Sequence, residues 1–119
     1  MAWEVEFTNE FEGWFETLDA STENAVVLAV RVLQSRGPAL GRPLVENVHS
    51  SRFANMKELR PLSSNTRVLF AFDPRRTAIL LIGGDKSGKW NKWYLEIVPI
   101  ADRLFEEYLE ELRQEGLLP

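Results

Sequence analysis

Trp3-Glu4-Val5-Glu6-Phe7 alternates apolar and acidic side chains, the period-2 pattern of a strand with one buried face. The period then changes. Thr8 or Asn9 can cap a helix, with Glu12 three residues beyond Asn9. Phe11, Trp14, Phe15 and Leu18 follow at i, i+3, i+4 and i+7, one helical face. A second helix opens near Asp19 or Ser21, carries Ala25, Leu28, Ala29, Val32 and Leu33 on one side, and stops at Arg36-Gly37-Pro38. The short connection makes the two helices antiparallel neighbours. Residues 37–51 hold two glycines and two prolines and read as a loop.

Three strands are expected next, over residues 52–59, 66–72 and 77–82, the last apolar throughout as a strand covered on both faces would be. Asp73-Pro74 opens a tight turn between the second and third. If Asp73 pairs with Arg76 across it, Arg67, Leu69 and Ala71 share a face with Ala78, Leu80, Ile82, Gly84 and Lys86. Val68, Phe70 and Phe72 then join Ile79 and Leu81 on the face that packs on the helices. Arg67 and Lys86 would emerge on the opposite side. Pro99 suits the first turn of a last helix, with Ala101, Leu104, Phe105, Tyr108, Leu109 and Leu112 as its apolar stripe. Asp102, Glu106, Glu107, Glu110 and Glu111 form its outer face.

The order β-α-α-β-β-β-α describes an α+β fold in one domain over residues 1–119. It is a small antiparallel sheet of three to four strands, two N-terminal helices on one face and a C-terminal helix. Trp14, Phe15, Leu28, Val32, Phe70 and Ile79 are its expected core.

Charge divides this frame into three. Residues 1–51 and 94–119 each carry a net −5, whereas residues 52–93 carry nine basic and three acidic groups, a net +6. Such a block can hold a polyanion by neutralising phosphates. It can equally pair with the acidic helices of its own chain. No cysteine is present and only one histidine, His49, so disulfides and multi-histidine metal sites are excluded. His49, in a loop with no second histidine and no obvious carboxylate partner, reads as a surface residue more than a base. No apolar run is long enough to span a membrane, and the N-terminus lacks the basic start of a signal peptide. A soluble, cytoplasmic protein is expected.

Gly83-Gly84-Asp85-Lys86-Ser87-Gly88-Lys89 follows a strand but lacks the spacing of a nucleotide-binding P-loop. It reads instead as a glycine-rich approach of backbone to an RNA phosphate. Trp90, Trp93 and Tyr94 interleave with Lys89 and Lys92, which suits stacking on unpaired bases beside phosphate contacts. Aromatics at helical spacing also serve cores, and one of the two tryptophans is expected there. Arg60 precedes Pro61 at the end of a strand, and whether it or Lys57 shares the face of Arg67 is open at this point.

Met56-Lys57-Glu58-Leu59-Arg60-Pro61, Arg67-Val68-Leu69-Phe70-Ala71-Phe72-Asp73, Gly84-Asp85-Lys86 and Trp90-x-x-Trp93-Tyr94 occur in this order. Together they resemble the phage-derived Gp49-like/HigB branch of the RelE/ParE toxin superfamily, over nearly the whole chain. The resemblance implies the toxin of a type II toxin–antitoxin system, held inactive by a helix-turn-helix antitoxin and cleaving mRNA on the ribosome without metal or other cofactor. Carried over by motif, Arg67 and Lys86 would be the phosphate and transition-state cations and Arg60 a supporting cation. Tyr94 would transfer a proton or stack on a base. Arg52, Lys57, Lys89, Trp90, Lys92 and Trp93 would contact RNA. The sequence departs from the branch at Phe53, where a histidine often stands. The competing readings are a ParE-like gyrase inhibitor and a non-enzymatic binding module of the same fold.

Overall fold

The structure, a computed structural model, describes residues 2–85 and 90–118, with Trp90 by its backbone alone. Strand β1 (Val5–Phe7) leads into helices α1 (Asn9–Phe15) and α2 (Ala20–Arg36) and a 3-10 turn at Gly37–Ala39. Strands β2 (Val45–Asn47), β3 (Lys57–Leu59), β4 (Thr66–Phe72) and β5 (Ala78–Asp85) follow, then helix α3 (Trp90–Gln114). The described strands form one sheet in the order β1-β5-β4-β3-β2. The α+β class is therefore as the sequence pattern indicated. The sheet is larger than expected, however, and its β1 edge runs parallel to β5. The unexpected strand, β2, is three residues inside a stretch whose glycines and prolines mask its pattern.

The helices begin where their capping residues predict. The Thr8 hydroxyl accepts the N–H of Phe11, and the Asp19 carboxylate accepts that of Thr22. On α2 the buried residues are Val26, Ala29 and Leu33. Leu28 is 59% exposed and leaves the expected core, because the buried stripe is rotated from the one read in sequence. Trp14, Phe15 and Val32 are half-buried against the α1/α2 side, and Phe70 and Ile79 are fully buried.

The β4–β5 hairpin departs from the expected register by two insertions. Arg76 N–H donates to the Asp73 carbonyl at 2.8 Å, and Asp73 N–H to the Thr77 carbonyl at 2.9 Å. The loop is therefore three residues long, closed by Arg76 at φ 67°. Phe72 pairs with Ala78 and Phe70 with Leu80, but Leu69 pairs with Ile82, so Leu81 is an extra residue in β5. Ala78 and Leu80 accordingly pack with Val68 and Phe70 under α1 and α2. Ile79 and Leu81 join Leu69 and Ala71 under α3, the reverse of the expected assignment. Beyond the bulge the two shifts add to two residues, which restores the expected face: Gly84 lies opposite Arg67, where the expected register placed Ile82. The Thr8 hydroxyl donates to the Leu81 carbonyl at 2.6 Å, which ties the bulge to the start of α1.

Helix α3 starts nine residues before Pro99, which lies inside it rather than at its first turn. Its apolar stripe is as expected: Ala101, Leu104, Phe105, Leu109 and Leu112 are buried and Tyr108 half-buried. Asp102 leaves the solvated face. Its two oxygens accept the Ser51 hydroxyl and the Arg52 N–H, and Phe53 N–H donates to Ser51 Oγ. That turn shortens the strand expected over 52–59 to β3. Phe53 packs edge-on against Phe105 at 5.0 Å between centroids.

At the far end of α3 the Tyr108 hydroxyl donates to Glu6 at 2.6 Å, and Arg75 bridges Glu6 and Asp73 at 2.8 and 2.7 Å. The Arg75 hydrogen bond, opposed by burial and aided by Tyr108, holds the Glu6 carboxyl below its ordinary 4.5. A lowered carboxyl contributes stability above its unfolded value, and that stability disappears as pH falls through the folded one. Glu6→Gln should therefore flatten the loss of thermal stability below about pH 4.5, seen by comparing melting curves of the two proteins across that range.

A Cβ added at Gly83 would meet the Trp14 ring at 2.3 Å, whereas one at Gly13 has no heavy atom within 4 Å. Gly83→Ala should cost about 1–3 kcal/mol by overpacking. Gly13→Ala, inside α1, should stabilise by about 0.5–1 kcal/mol. Denaturant melts showing the two substitutions equal in sign would refute this placement of Trp14.

Candidate functional site

Alternation along β3 decides which side chains meet Arg67. Glu58 pairs with Leu69 and Lys57 with Phe70, so Glu58 and Arg60 lie on the α3 side and Lys57 on the other. It is Arg60 that shares Arg67's face. Glu58 is 3% exposed. The Tyr94 hydroxyl, one turn into α3, donates to its two oxygens at 2.7 and 2.9 Å. Arg60 Nη2 donates to Oε2 at 3.1 Å, and Arg67 Nε lies 3.6 Å from Oε1. Arg67 Nη1 also donates to the carbonyls of Thr66 and Ser64, at 2.8 and 3.3 Å. A buried carboxylate costs several kcal/mol unless charges and donors surround it, roughly. Here all three groups do.

Arg67 thus stands on the side away from α1 and α2, as its strand parity requires, but it does not emerge. Its side chain is 11% exposed and paired with Glu58 of the neighbouring strand. Two guanidinium groups thus face the Glu58 carboxylate, and Glu46 lies 4.0 Å from Arg60.

Burial, followed by the Glu58 hydrogen bond and charge, pushes the Tyr94 phenol up to about 12, although Arg60 and Arg67 pull it down. Burial works against the charge of Arg60, but Glu58, Tyr94 and Glu46 outweigh it and raise its pKa. At neutral pH the phenol therefore keeps its proton.

Other expected contact residues are dispersed. Arg52 is ion-paired with Glu106 and lies over the Phe53 ring, and Lys92 is 3.9 Å from Glu96. Lys57 donates to Asn47 Oδ1 at 3.0 Å. Trp93 is half-buried in the α3 core, where a Cβ on Gly84 would approach its Nε1 to 2.8 Å. It is a wall of the site more than an open stacking platform. Lys86, Lys89 and the Trp90 side chain lie outside the described residues. Much of the basic block is therefore matched by acids elsewhere in the chain: Arg52 by Glu106, Arg60 by Glu46, Arg75 by Glu6, Lys92 by Glu96.

Two features escaped sequence reasoning. Glu58, at the centre, stands in Lys57-Glu58-Leu59-Arg60, where the alternation could have placed it beside Arg60 had acids been sought as well as bases. The other is a cleft of about 1050 Å³ between residues 47–52 and α3, lined by Glu58 and by His49, which is exposed as expected. A smaller cleft beyond it includes Arg42, Glu46 and Arg60. Among the described residues no three His, Asp or Glu side chains gather as a metal site needs. No helix among them is long and apolar enough to cross a membrane.

The chain has two tyrosines, so Tyr108→Phe isolates Tyr94 for titration. In that background the tyrosinate absorbance should rise near pH 12. Adding Glu58→Gln should move the midpoint down towards the ordinary 10, because the charge that opposes phenolate is gone. An unmoved midpoint would break the assigned Tyr94–Glu58 contact.

Comparison with known proteins gives this geometry a lineage. The family described as phage derived protein Gp49-like matches residues 13–106. HigB3 of Mycobacterium tuberculosis (strain ATCC 25618 / H37Rv), designated a toxin, is 50% identical over 100 residues, covering 84% of this chain and 88% of its own. HigB2 of the same organism is 50% identical over 101 residues, 82% of this chain, which spans about half (50%) of that longer protein. Among solved structures, the archaeal RelE–RelB complex of Pyrococcus horikoshii OT3 contains a chain that superposes with a TM-score of 0.60 at 11% identity, covering 74% of this chain and 99% of that one. An identity so low speaks for the fold alone. By its match over residues 13–106 and its 50% identity to HigB3, the chain belongs to the phage-derived Gp49-like family, on a RelE-type fold.

Proposed function

We propose that this protein is the toxin of a type II toxin–antitoxin pair and cleaves mRNA on the ribosome by metal-free acid–base chemistry. The observation that carries the reading is the convergence of Tyr94, Arg60 and Arg67 on the buried carboxylate of Glu58. The designation of HigB3 and HigB2 as toxins supports it, as does the RelE fold, solved in Pyrococcus in complex with RelB. A helix-turn-helix antitoxin is the matching partner.

In this reading the scissile phosphate sits against Arg60 and Arg67. Glu58 takes the proton of the 2′-hydroxyl, whose oxygen attacks phosphorus and forms a 2′,3′-cyclic phosphate. The phosphorus–5′-oxygen bond breaks, and Tyr94, still protonated with its pKa near 12, gives its proton to the leaving oxygen. The Tyr94–Glu58 hydrogen bond at 2.7 Å then returns the proton from Glu58 to Tyr94. Both arginines meet the charge that grows on the phosphoryl oxygens. Lys86, the other cation expected from sequence, would add to them.

Because Glu58 already occupies the two arginines, a second reading stands beside the first: a binding module, or a gyrase inhibitor, whose cluster is structural. The two separate on one experiment. Arg67→Ala removes a side chain that is 11% exposed and would leave Glu58 short of a partner, so Arg67→Lys is the better probe. Arg67→Lys, Glu58→Gln and Tyr94→Phe should each slow mRNA cleavage on purified ribosomes by about 10²–10³ and relieve growth arrest. Growth arrest by all three variants, with wild type leaving mRNA 5′ ends unchanged, would hand the protein to the second reading.

A further inference from the structure

The cleft between residues 47–52 and α3 adjoins the Glu58 cluster, since Glu58 and Tyr94 line both. Its floor is the buried pair Val48 and Val98, and Leu95 and Pro99 form the α3 wall. The charges on its rim are already matched. Arg52 pairs with Glu106 and Arg103 with Glu107, and the Asp102 carboxylate accepts the Ser51 hydroxyl and Arg52 N–H. What remains for a ligand is apolar surface edged by neutral polar groups. The Asn91 carboxamide is one. Another is the Leu95 carbonyl, whose helical donor would be the N–H that Pro99 lacks.

A phosphate would gain little from such a rim, where each cation has its own acid. An unpaired nucleobase brings what the cleft can take, a flat apolar face and an edge of donors and acceptors. Position agrees with chemistry: a phosphodiester against Arg60 and Arg67 has its neighbouring base within one nucleotide of the cleft's Tyr94 end. The volume, about 1050 Å³, lies at the upper end for ligand pockets and exceeds what one base needs.

We infer that this cleft is the base-binding subsite, taking an unpaired RNA base next to the scissile phosphate and reading its edge through Asn91 and the Leu95 carbonyl. The inference rests on the nuclease reading above. It makes Asn91 a specificity-determining residue, with Val48 and Val98 as the stacking floor and Pro99 part of the wall.

The test uses short single-stranded RNAs that carry a 2′-deoxy sugar at the cut position, so that binding is read without cleavage. Removing the base at one flanking position should weaken binding to wild type about tenfold or more, the scale of one stacked base. Ser50→Trp, on the exposed rim, should fill the cleft and erase that difference while leaving the melting temperature unchanged. Asn91→Ala should keep the fold and flatten the base preference at mapped cleavage sites by about tenfold. Abasic strands binding wild type as tightly as intact ones would overturn the assignment, and so would a Ser50→Trp protein that still discriminates. Loss of antitoxin binding in Ser50→Trp with RNA binding intact would give the cleft to a protein segment instead. A wild type that cuts RNA yet ignores the missing base defeats this inference alone. A wild type that cuts no RNA defeats the nuclease reading, whatever the strands show.

Discussion

The pairing of β4 with β5 is the constraint on which the rest of the molecule depends. One residue is added in the turn, where Arg76 takes a positive φ, and one in β5, at Leu81. The first shift sends Leu80 rather than Leu81 under α1 and α2. The second returns Gly84 to the face of Arg67 and places it opposite that residue. A side chain at that position would drive Trp93 away, and Tyr94 follows Trp93 in the same turn of α3. The hairpin register therefore reaches the site through packing, two steps removed from any polar contact. The Thr8 hydroxyl, bonded to the Leu81 carbonyl, fixes the bulge from the end of the neighbouring edge strand β1.

Around Glu58 the balance of charge explains how an acidic protein, with a sequence pI near 5.1, can present a cationic centre. Long-range charge is largely spent within the fold, since the basic residues of the middle block meet carboxylates from both flanks. What survives is local: two guanidinium groups and a phenol on one buried carboxylate. On the nuclease reading proposed above, such an arrangement would attract a phosphate weakly from afar and match it on contact. Affinity would then come from shape and directed hydrogen bonds more than from electrostatic steering.

Much of this was legible in the sequence, and the part that was not has physical reasons. Period-2 and period-3.6 patterns located both N-terminal helices, β4 and the apolar stripe of α3, because burial imposes those periods directly. Strand β2 left no such trace: three residues between Pro43 and His49 are too few to display a period. Leu28 was misplaced because nearly every position of α2 from Ala25 to Leu33 is apolar, so the pattern does not say which stripe faces inward. The face of Arg67 was readable from β4 alone. Its burial was not, since Glu58 and Tyr94 approach from elements 36 residues apart. Pro99 misled in the opposite direction. Proline is welcome in a helix's first turn, and only packing of the preceding turns against the sheet shows that α3 begins earlier.

That earlier start carries the last step. If α3 began at Pro99, Tyr94 would belong to a connecting segment and its hydroxyl would have no fixed direction. Nine residues of helix before the proline convert it into a positioned donor, one turn past Trp90 and on the side that meets Glu58. Pro99 forfeits one backbone hydrogen bond, and the helix accepts that cost where the ring faces solvent, beside the cleft. Val98 and Ala101, on either side of it, are buried against the sheet and hold the two halves of the helix in line. The buried stripe thus overrides a local preference to stop, and the chemistry of the site depends on that override.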